Sequence, residues 1–440
     1  MRNPIIATLI ASAFLTLNAS ASDLLQIYKD ALVNDAQYGS ARASQVAGKE
    51  KSVQGRAGIL PSVALSGSDV RTNSNFESDL AGRDSKGTSY TNTYTLALSQ
   101  PLFRWANWQQ YEQGKLSVIV SDAQFAQAQQ DLIVRVGQAY FDVLAAQDTL
   151  ATLQAQKSAT SEQLASAKRN FEVGTSTITD THEAQARYDL IIAQEFAGQS
   201  DLQIKRAALQ QIIGKEAGDL SSLKPGIKLS SPQPERIEEW VGSAEKQNYG
   251  VVASQVALEI AQRDISRNRA GHMPTLDLVA STGRTSTGGN SLSGTGVVKP
   301  TTIGVQWNIP LFSGFAVDSR VRESIALEDK ARSDLDNVRR TAAQGARQAY
   351  FGVNSGLAQV KALEAAEISS QSALDSNKLG YQVGVRINID VLNAQQQLYT
   401  TRQNLAKARY DTIMNGLRLK SAAGTLKESD LAEINDLLQH

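Results

Sequence analysis

The residues best placed to do chemistry sit in the stretch "YQVGVRINID", Tyr381 to Asp390. Arg386 and Asp390 are four apart, the spacing of a helical ion pair. Tyr381 adds a phenol that both donates and accepts hydrogen bonds. A related stretch, "FEVGTSTITD", spans Phe171 to Asp180 and ends on Thr179-Asp180. On the residues alone, this chemistry is hydrogen bonding and charge at a turn. The three histidines (His182, His272, His440) lie far apart, form no ligand motif and are expected at the surface. There is no cysteine, hence no disulfide, thiolate site or cysteine-linked lipid anchor. No nucleophile elbow, metal pair or phosphate loop occurs, so the chain reads as a non-enzyme without cofactors. Lys+Arg and Asp+Glu balance at 44 each, and no basic patch invites nucleic acid.

The two stretches belong to a duplication. "ASQVA" occurs at Ala43–Ala47 and Ala253–Ala257, 210 positions apart. "AYF" repeats at Ala139–Phe141 and Ala349–Phe351 with the same offset, and "PLF" at Pro101–Phe103 and Pro310–Phe312 with one of 209. Gly174/Gly384, Asp180/Asp390 and Gly214/Gly424 keep this register. The expected organisation is a secretory signal peptide over 1–21, a first repeat over 22–214 and a linker over 215–234. A second repeat over 235–424 and a C-terminal segment over 425–440 complete it. The signal peptide is read from Arg2, the apolar run Ile5–Leu17 and the small residues Ala19-Ser20-Ala21. No later run is apolar and long enough for a transmembrane helix.

Within each repeat, a helix comes first: Leu24 to about Gly55, and about Glu235 to Arg269. "RAGILP" and "RAGHMP" break it. Two alternating segments follow, with Tyr94, Leu96, Leu98 and Ile303, Val305, Trp307, Ile309 at period two. They predict hairpins of two-faced strands joined by long polar loops, Arg71–Ser89 and Arg284–Lys299. Next comes a long helix without proline, from about Ala106 to Phe171 and from about Val317 to Leu379. At ~1.5 Å per residue each spans roughly 90–100 Å. Returning helices cover Asp180–Ile213 and Asp390–Ala423. "FEVGTSTITD" and "YQVGVRINID" are therefore the turns of two helical hairpins. Gly174 and Gly384 suit C-terminal caps, and Asp180 and Asp390 suit the N-cap or first turn of the helix that returns.

The last helix carries a heptad: Val391, Leu398, Leu405, Thr412 and Leu419, with Ala394, Thr401 and Ala408 three positions later. Ile133, Val136, Tyr140, Val143 and Leu150 are spaced similarly in the first long helix. Such seams, on helices otherwise rich in Ala, Gln and Ser, fit either a single-layer helical wall or an extended coiled coil. The strands fit either a share of an outer-membrane barrel or two small soluble hairpins. Four strands cannot close a membrane barrel alone, since about 8 are needed, whereas copies of the chain could supply the rest.

The chain resembles the TolC-like outer-membrane channels of efflux and type I secretion. The likeness is carried by "GHMPTLDLVASTG" (Gly271–Gly283), "RNFEVG" (Arg169–Gly174), "ITD" (Ile178–Asp180) and Tyr381–Ala423 running into Leu426. It implies an α+β membrane protein assembled as a homotrimer. Each protomer would give four strands to a 12-stranded outer-membrane β-barrel, set among outer-membrane lipid. The barrel would continue into a 12-helix periplasmic α-barrel with a mixed equatorial belt from Gly214–Glu235 and the segment after Gly424. The implied function is an exit duct for drugs or secreted proteins, gated by iris-like opening of the periplasmic tips. Implied partners are a periplasmic adaptor and an inner-membrane ABC or proton-driven pump. The runner-up is a periplasmic coiled-coil scaffold or adaptor without a pore.

The resemblance also assigns residues. Tyr381 and Arg386 match a gate latch whose acceptors include Thr179 and Asp180. Asp390 matches the first position of a cation-binding carboxylate ring, while Asn393 stands where the family has a second acid. The resemblance therefore implies a ring of three carboxylates in place of six, with weaker cation selectivity. Val173-Gly174-Thr175 and Val383-Gly384-Val385 match the tips that dock the adaptor. Helix capping alone would equally account for both glycines.

Overall fold

The computed structural model describes residues 22–77, 85–290 and 294–439, so the expected signal peptide and His440 lie outside the described residues. Two long helices, α3 (Trp105–Glu172) and α7 (Ala316–Gln382), run the length of the helical part. At ~1.5 Å per residue their 68 and 67 residues span about 100 Å. Half-length helices fill in beside them: α2 (Ala36–Ala57) and α6 (Tyr249–Arg269) near the sheet, α4 (Ile178–Ile213) and α8 (Asn388–Ala422) toward the tips. Side by side the order is α2–α3–α6–α7 in one half. In the other, α3 pairs with α4, α7 with α8, and α8 packs on α3. Both heptad positions of α8 are used: Val391, Leu398, Leu405, Thr412 and Leu419 are buried, as are Thr401 and Ala408. Among the described residues no helix is long and apolar enough to cross a membrane.

The strands form one antiparallel meander, β1 (Ser62–Phe76), β2 (Ser85–Phe103), β3 (Thr275–Asn290), then β4 (Gly296–Val298) and β5 (Thr301–Asn308) sharing the far edge of β3. It amounts to four strands, the last interrupted at Lys299-Pro300. The register puts Val63, Leu98, Ala280 and Ile303 in one row, with Leu65–Leu96 and Leu278–Val305 on the same face. The opposite face is small and polar, with rows such as Ala64–Ala97–Ser281–Thr302 and Ser68–Thr93–Thr285. Val63, Leu65, Leu96, Ile303, Val305 and Trp307 are all exposed.

Two sequence expectations change here. The polar loops are shorter than expected, because the strands run on to Phe76, Ser85 and Asn290. Polar pairs such as Thr72↔Ser89 and Asn73↔Thr88 hold the ladder there, since backbone pairing does not require apolar side chains. The first helix of each repeat is also not continuous. Asp35 separates α1 (Leu24–Asn34) from α2, and Asn248 separates α5 (Ile237–Gln247) from α6. Each caps the helix that follows: Asp35 accepts from the Tyr38 N–H at 2.6 Å, and Asn248 from the Gly250 N–H at 3.0 Å.

The breaks make room for the thickest core. Leu24, Ile27 and Ala31 of α1 pack with Leu132, Val136, Tyr140 and Leu144 of α3, and with Leu209, Ile213, Met414 and Leu417. The expected belt segments join them: Leu223 bridges to Leu438, and Leu431 of α9 (Glu428–Asn435) is fully buried. The Tyr140 hydroxyl donates to the Ser221 carbonyl at 2.7 Å. Helix α1, read as the start of one long helix, thus belongs to this belt.

The returning helices end against those breaks. Gly424 has φ 74, and a Cβ there would lie 2.3 Å from the Gln247 carbonyl oxygen. Gly384 has φ 79, but nothing lies within 4 Å of its Cβ position. Gly384→Ala is expected to cost about 1–2 kcal/mol, the left-handed backbone penalty alone. Gly424→Ala adds an overpacking cost of about 1–3 kcal/mol. Denaturant midpoints of the two variants check this, and equal shifts would contradict it.

Candidate functional site

The tips of the two hairpins are built alike. In the first turn the Thr175 and Gly174 N–H groups donate to Asn170 and Phe171 carbonyls at 2.8 and 3.0 Å. In the second, Val385 and Gly384 donate to Gly380 and Tyr381 at 2.9 and 3.2 Å. Both glycines take left-handed φ values, 78 and 79. These are glycine caps that need no further explanation for Gly itself. Val173, Gly174, Thr175, Val383, Gly384 and Val385 are all exposed.

The acids beyond the turns differ between the copies. Asp180 sits three positions after the N-cap Thr177, accepts from its N–H at 3.1 Å, and donates its own N–H to the Thr177 hydroxyl at 3.3 Å. That is a full capping box. In the second copy the N-cap is Ile387, which has no side-chain acceptor. Asp390 accepts from the Ile387 N–H at a long 3.5 Å and also faces Arg386 at 3.8 Å. The Arg386 stem folds across Gly380, where a Cβ would lie 2.7 Å from its Cγ.

Within the protomer the latch residues do not meet Thr179 or the Asp180 carboxylate. Tyr381 packs against Leu374, Val391 and Leu398, and its hydroxyl accepts from the Asn170 amide at 3.0 Å. Thr179 is exposed. The contact that does reach Asp180 comes from Asn388. Its Nδ2 donates to the Asp180 carbonyl at 3.0 Å, and its Oδ1 accepts from Gln163 Nε2 at 2.6 Å. Asn388 has no exposed surface. One side chain thus joins α8 to both α3 and α4, beside the small cluster of Leu164, Ala167, Ala184 and Leu392. Asn393 is exposed and accepts from Arg187 Nη2 at 3.1 Å, while Arg187 Nη1 donates to Gln396.

Asn170, Gln163, Asn388 and Arg187 were not singled out by the sequence. One signal was available. At the repeat offset Asn388 stands opposite Ile178, which is 45% exposed. A polar residue between two isoleucines, facing an apolar residue in the other copy, marks a position whose environment differs between the copies. The contacts themselves join helices more than 200 residues apart, and no local pattern encodes them.

The sequence model of the family "outer membrane efflux protein" matches residues 27–215 and 240–425. The chain is 33% identical over 445 residues to outer membrane protein TolC of Escherichia coli, covering 99% of this chain and 88% of that protein. It is 32% identical to the alkaline protease secretion protein AprF of Pseudomonas aeruginosa, covering 96% and 89%. Among solved structures, the Campylobacter jejuni CmeC outer membrane channel superposes with a TM-score of 0.78 at 19% identity, covering 94% and 89% of the two chains. The outer membrane protein VceC of Vibrio cholerae gives 0.78 at 19%, covering 91% and 96%. A match over nearly the whole described chain, in sequence and in fold, makes this protein a member of the outer membrane efflux protein family.

Proposed function

We propose that three copies of this chain form an outer-membrane exit duct, whose periplasmic helix tips are its gate. One observation carries this reading: a sheet apolar on one face and small-polar on the other, whose outer edges at β1 and at β4/β5 have no partner strand among the described residues. Alternation of this kind puts lipid on one side and lumen on the other, and open edges are not tolerated in lipid. Pairing β1 of one copy with β5 of the next removes the edges and gives 12 strands. The helical wall has the same need. Exposed apolar side chains stand on the edge helices, Leu190, Phe196 and Ile204 on α4 and Phe351, Ile368 and Leu379 on α7. The duct conducts passively and does no bond chemistry. The names of its relatives join efflux with protease secretion, which fits a duct that serves an adaptor and an inner-membrane pump. The exposed tip residues around Gly174 and Gly384 are where that adaptor docks.

Purification from the outer-membrane fraction, cross-linking to a trimer and reconstitution in a planar bilayer test this. Stable pores of low conductance are expected, as for a closed gate. A soluble periplasmic protein without pores would return the coiled-coil scaffold reading.

In the gate, Tyr381 and Arg386 restrain the second hairpin, with Thr179 and Asp180 of a neighbouring copy as acceptors, and Asp390 and Asn393 line the aperture. The Arg386–Asp390 side chains are 59% and 34% exposed, so their pairing is worth about 0–1 kcal/mol per protomer. Arg386→Ser is therefore expected to raise single-channel conductance modestly. Unchanged conductance would remove Arg386 from the latch.

A further inference from the structure

We infer that Gln395 is a spring set against the closed gate, a buried amide whose unmet hydrogen bond is relieved when the two hairpins part. This rests on the reading of the tips as the gate. Gln395 is 2% exposed, its Oε1 is shut off from solvent, and no protein group among the described residues pairs with that atom. Its place in the seam follows from its neighbours on α8. Positions 388, 392, 395 and 399 recur at helical spacing and share one face. The other three all meet the first hairpin. Asn388 bonds Gln163 and the Asp180 carbonyl, Leu392 packs with Leu164, Ala167 and Ala184, and the Tyr399 hydroxyl donates to the Ala155 carbonyl at 3.3 Å. Gln395 therefore faces α3 between Ala155 and Gln163.

The side-chain donors around that turn are committed elsewhere. Gln163 donates to Asn388 at 2.6 Å, Lys157 to Glu195 at 2.7 Å, and Arg187 to Asn393 and Gln396. In the first copy the same position is Gln185, whose amide donates to Asp189 one turn on at 2.9 Å. The residue one turn beyond Gln395 is Tyr399, which offers no carboxylate. The seam is also thin here. On α8 the belt core ends at Tyr410, and the next cluster joining α8 to α3 is the one at Leu392. Between them Leu405 and Leu398 pack on α7 instead. A buried acceptor without a partner destabilises the arrangement that buries it. The closed state bears that cost once in each protomer, and parting of α8 from α3 lets water satisfy the amide. Asn388 and Gln395, one heptad apart on one face, thus act in opposite senses: the first holds the seam shut and the second loads it toward opening.

The test uses the full-length trimer, and a chain without cysteine gives a clean background for thiol labelling. Leu392→Cys places a thiol in the seam and Met414→Cys one in the belt core, at sites 3% and 1% exposed. Each is combined with Gln395→Met, which keeps the length and removes the amide, and separately with Gln395→Leu. Maleimide labelling at 392 follows the population in which the seam has parted. Gln395→Met should slow it by about tenfold and leave labelling at 414 unchanged. In planar bilayers the fraction of time spent at high conductance should fall with it. Unchanged or faster labelling at 392 with both substitutions means an amide already satisfied, and overturns the spring while leaving the gate in place. Equal slowing at 392 and 414 overturns it as well, since the gain is then in global stability. Slower labelling at 392 without any change in conductance overturns the reading of this seam as the gate.

Discussion

Asn388→Ala is expected to raise single-channel conductance further than Arg386→Ser. The Asn388 side chain is inaccessible to solvent and satisfied at both ends, by Gln163 and by the Asp180 carbonyl. Truncation takes the acceptor from the half-buried Gln163 amide and one of two donors from the Asp180 carbonyl, which keeps its bond within α4. The two lost hydrogen bonds together cost about 1–3 kcal/mol, and the closed arrangement bears that cost in every protomer. When the hairpins part, water reaches both groups and the penalty vanishes, so the substitution biases the equilibrium toward open. The exposed Arg386–Asp390 pair has far less to lose, because water already competes for it. Conductance of the two variants measured side by side in planar bilayers decides the matter. A wild-type conductance in Asn388→Ala alongside a raised one in Arg386→Ser would place the latch where the resemblance alone put it.

What the sequence disclosed and what it hid divide along physical lines. Periodic features were legible: the heptad of α8 is buried at every position but the partly buried Ala394, and the two-faced strands lie in register with their apolar residues on one side. Turn chemistry was legible too: a helix C-terminal cap was one reading of Gly174 and Gly384, and both take left-handed φ. The breaks at Asp35 and Asn248 were hidden because the apolar pattern continues across them, although both residues are good N-caps. The tip contacts were hidden for a different reason. Glutamine, asparagine and arginine on a polar helix face look solvated until another helix is laid against them. Asn393 carried a partial signal, an amide where an acid was expected. Its partner, Arg187 of α4, lies more than 200 residues away and shows only once the helices are packed.

Asp35→Ala is expected to be the most destabilising single change in the equatorial belt. Asp35 is a helix cap and half of a bidentate pair, with both Arg135 terminal nitrogens 2.9 Å from its oxygens. Its side chain is 5% exposed. Removing it leaves Arg135 partly buried without its counter-charge, at a cost of about 3–5 kcal/mol, with about 1 kcal/mol more for the lost cap. Burial by itself would raise the Asp35 pKa. The Arg135 hydrogen bonds and charge and the Tyr38 N–H outweigh it and hold the carboxyl below its ordinary value of 3.8. A carboxyl lowered by folding stabilises the native state above that ordinary value, and the contribution is lost as pH falls through the lowered one. Denaturant midpoints of wild type should therefore drop in acid more steeply than those of Asp35→Asn. The second repeat shows why Asn is the informative control. Asn248 caps the matching break without a charge, and Gly345 stands where Arg135 does. Asp35→Asn keeps a cap but strands the guanidinium, so Asp35→Asn with Arg135→Gln should recover part of the lost stability. A double variant no more stable than Asp35→Asn alone would mean that the cap, and not the ion pair, holds this corner of the belt.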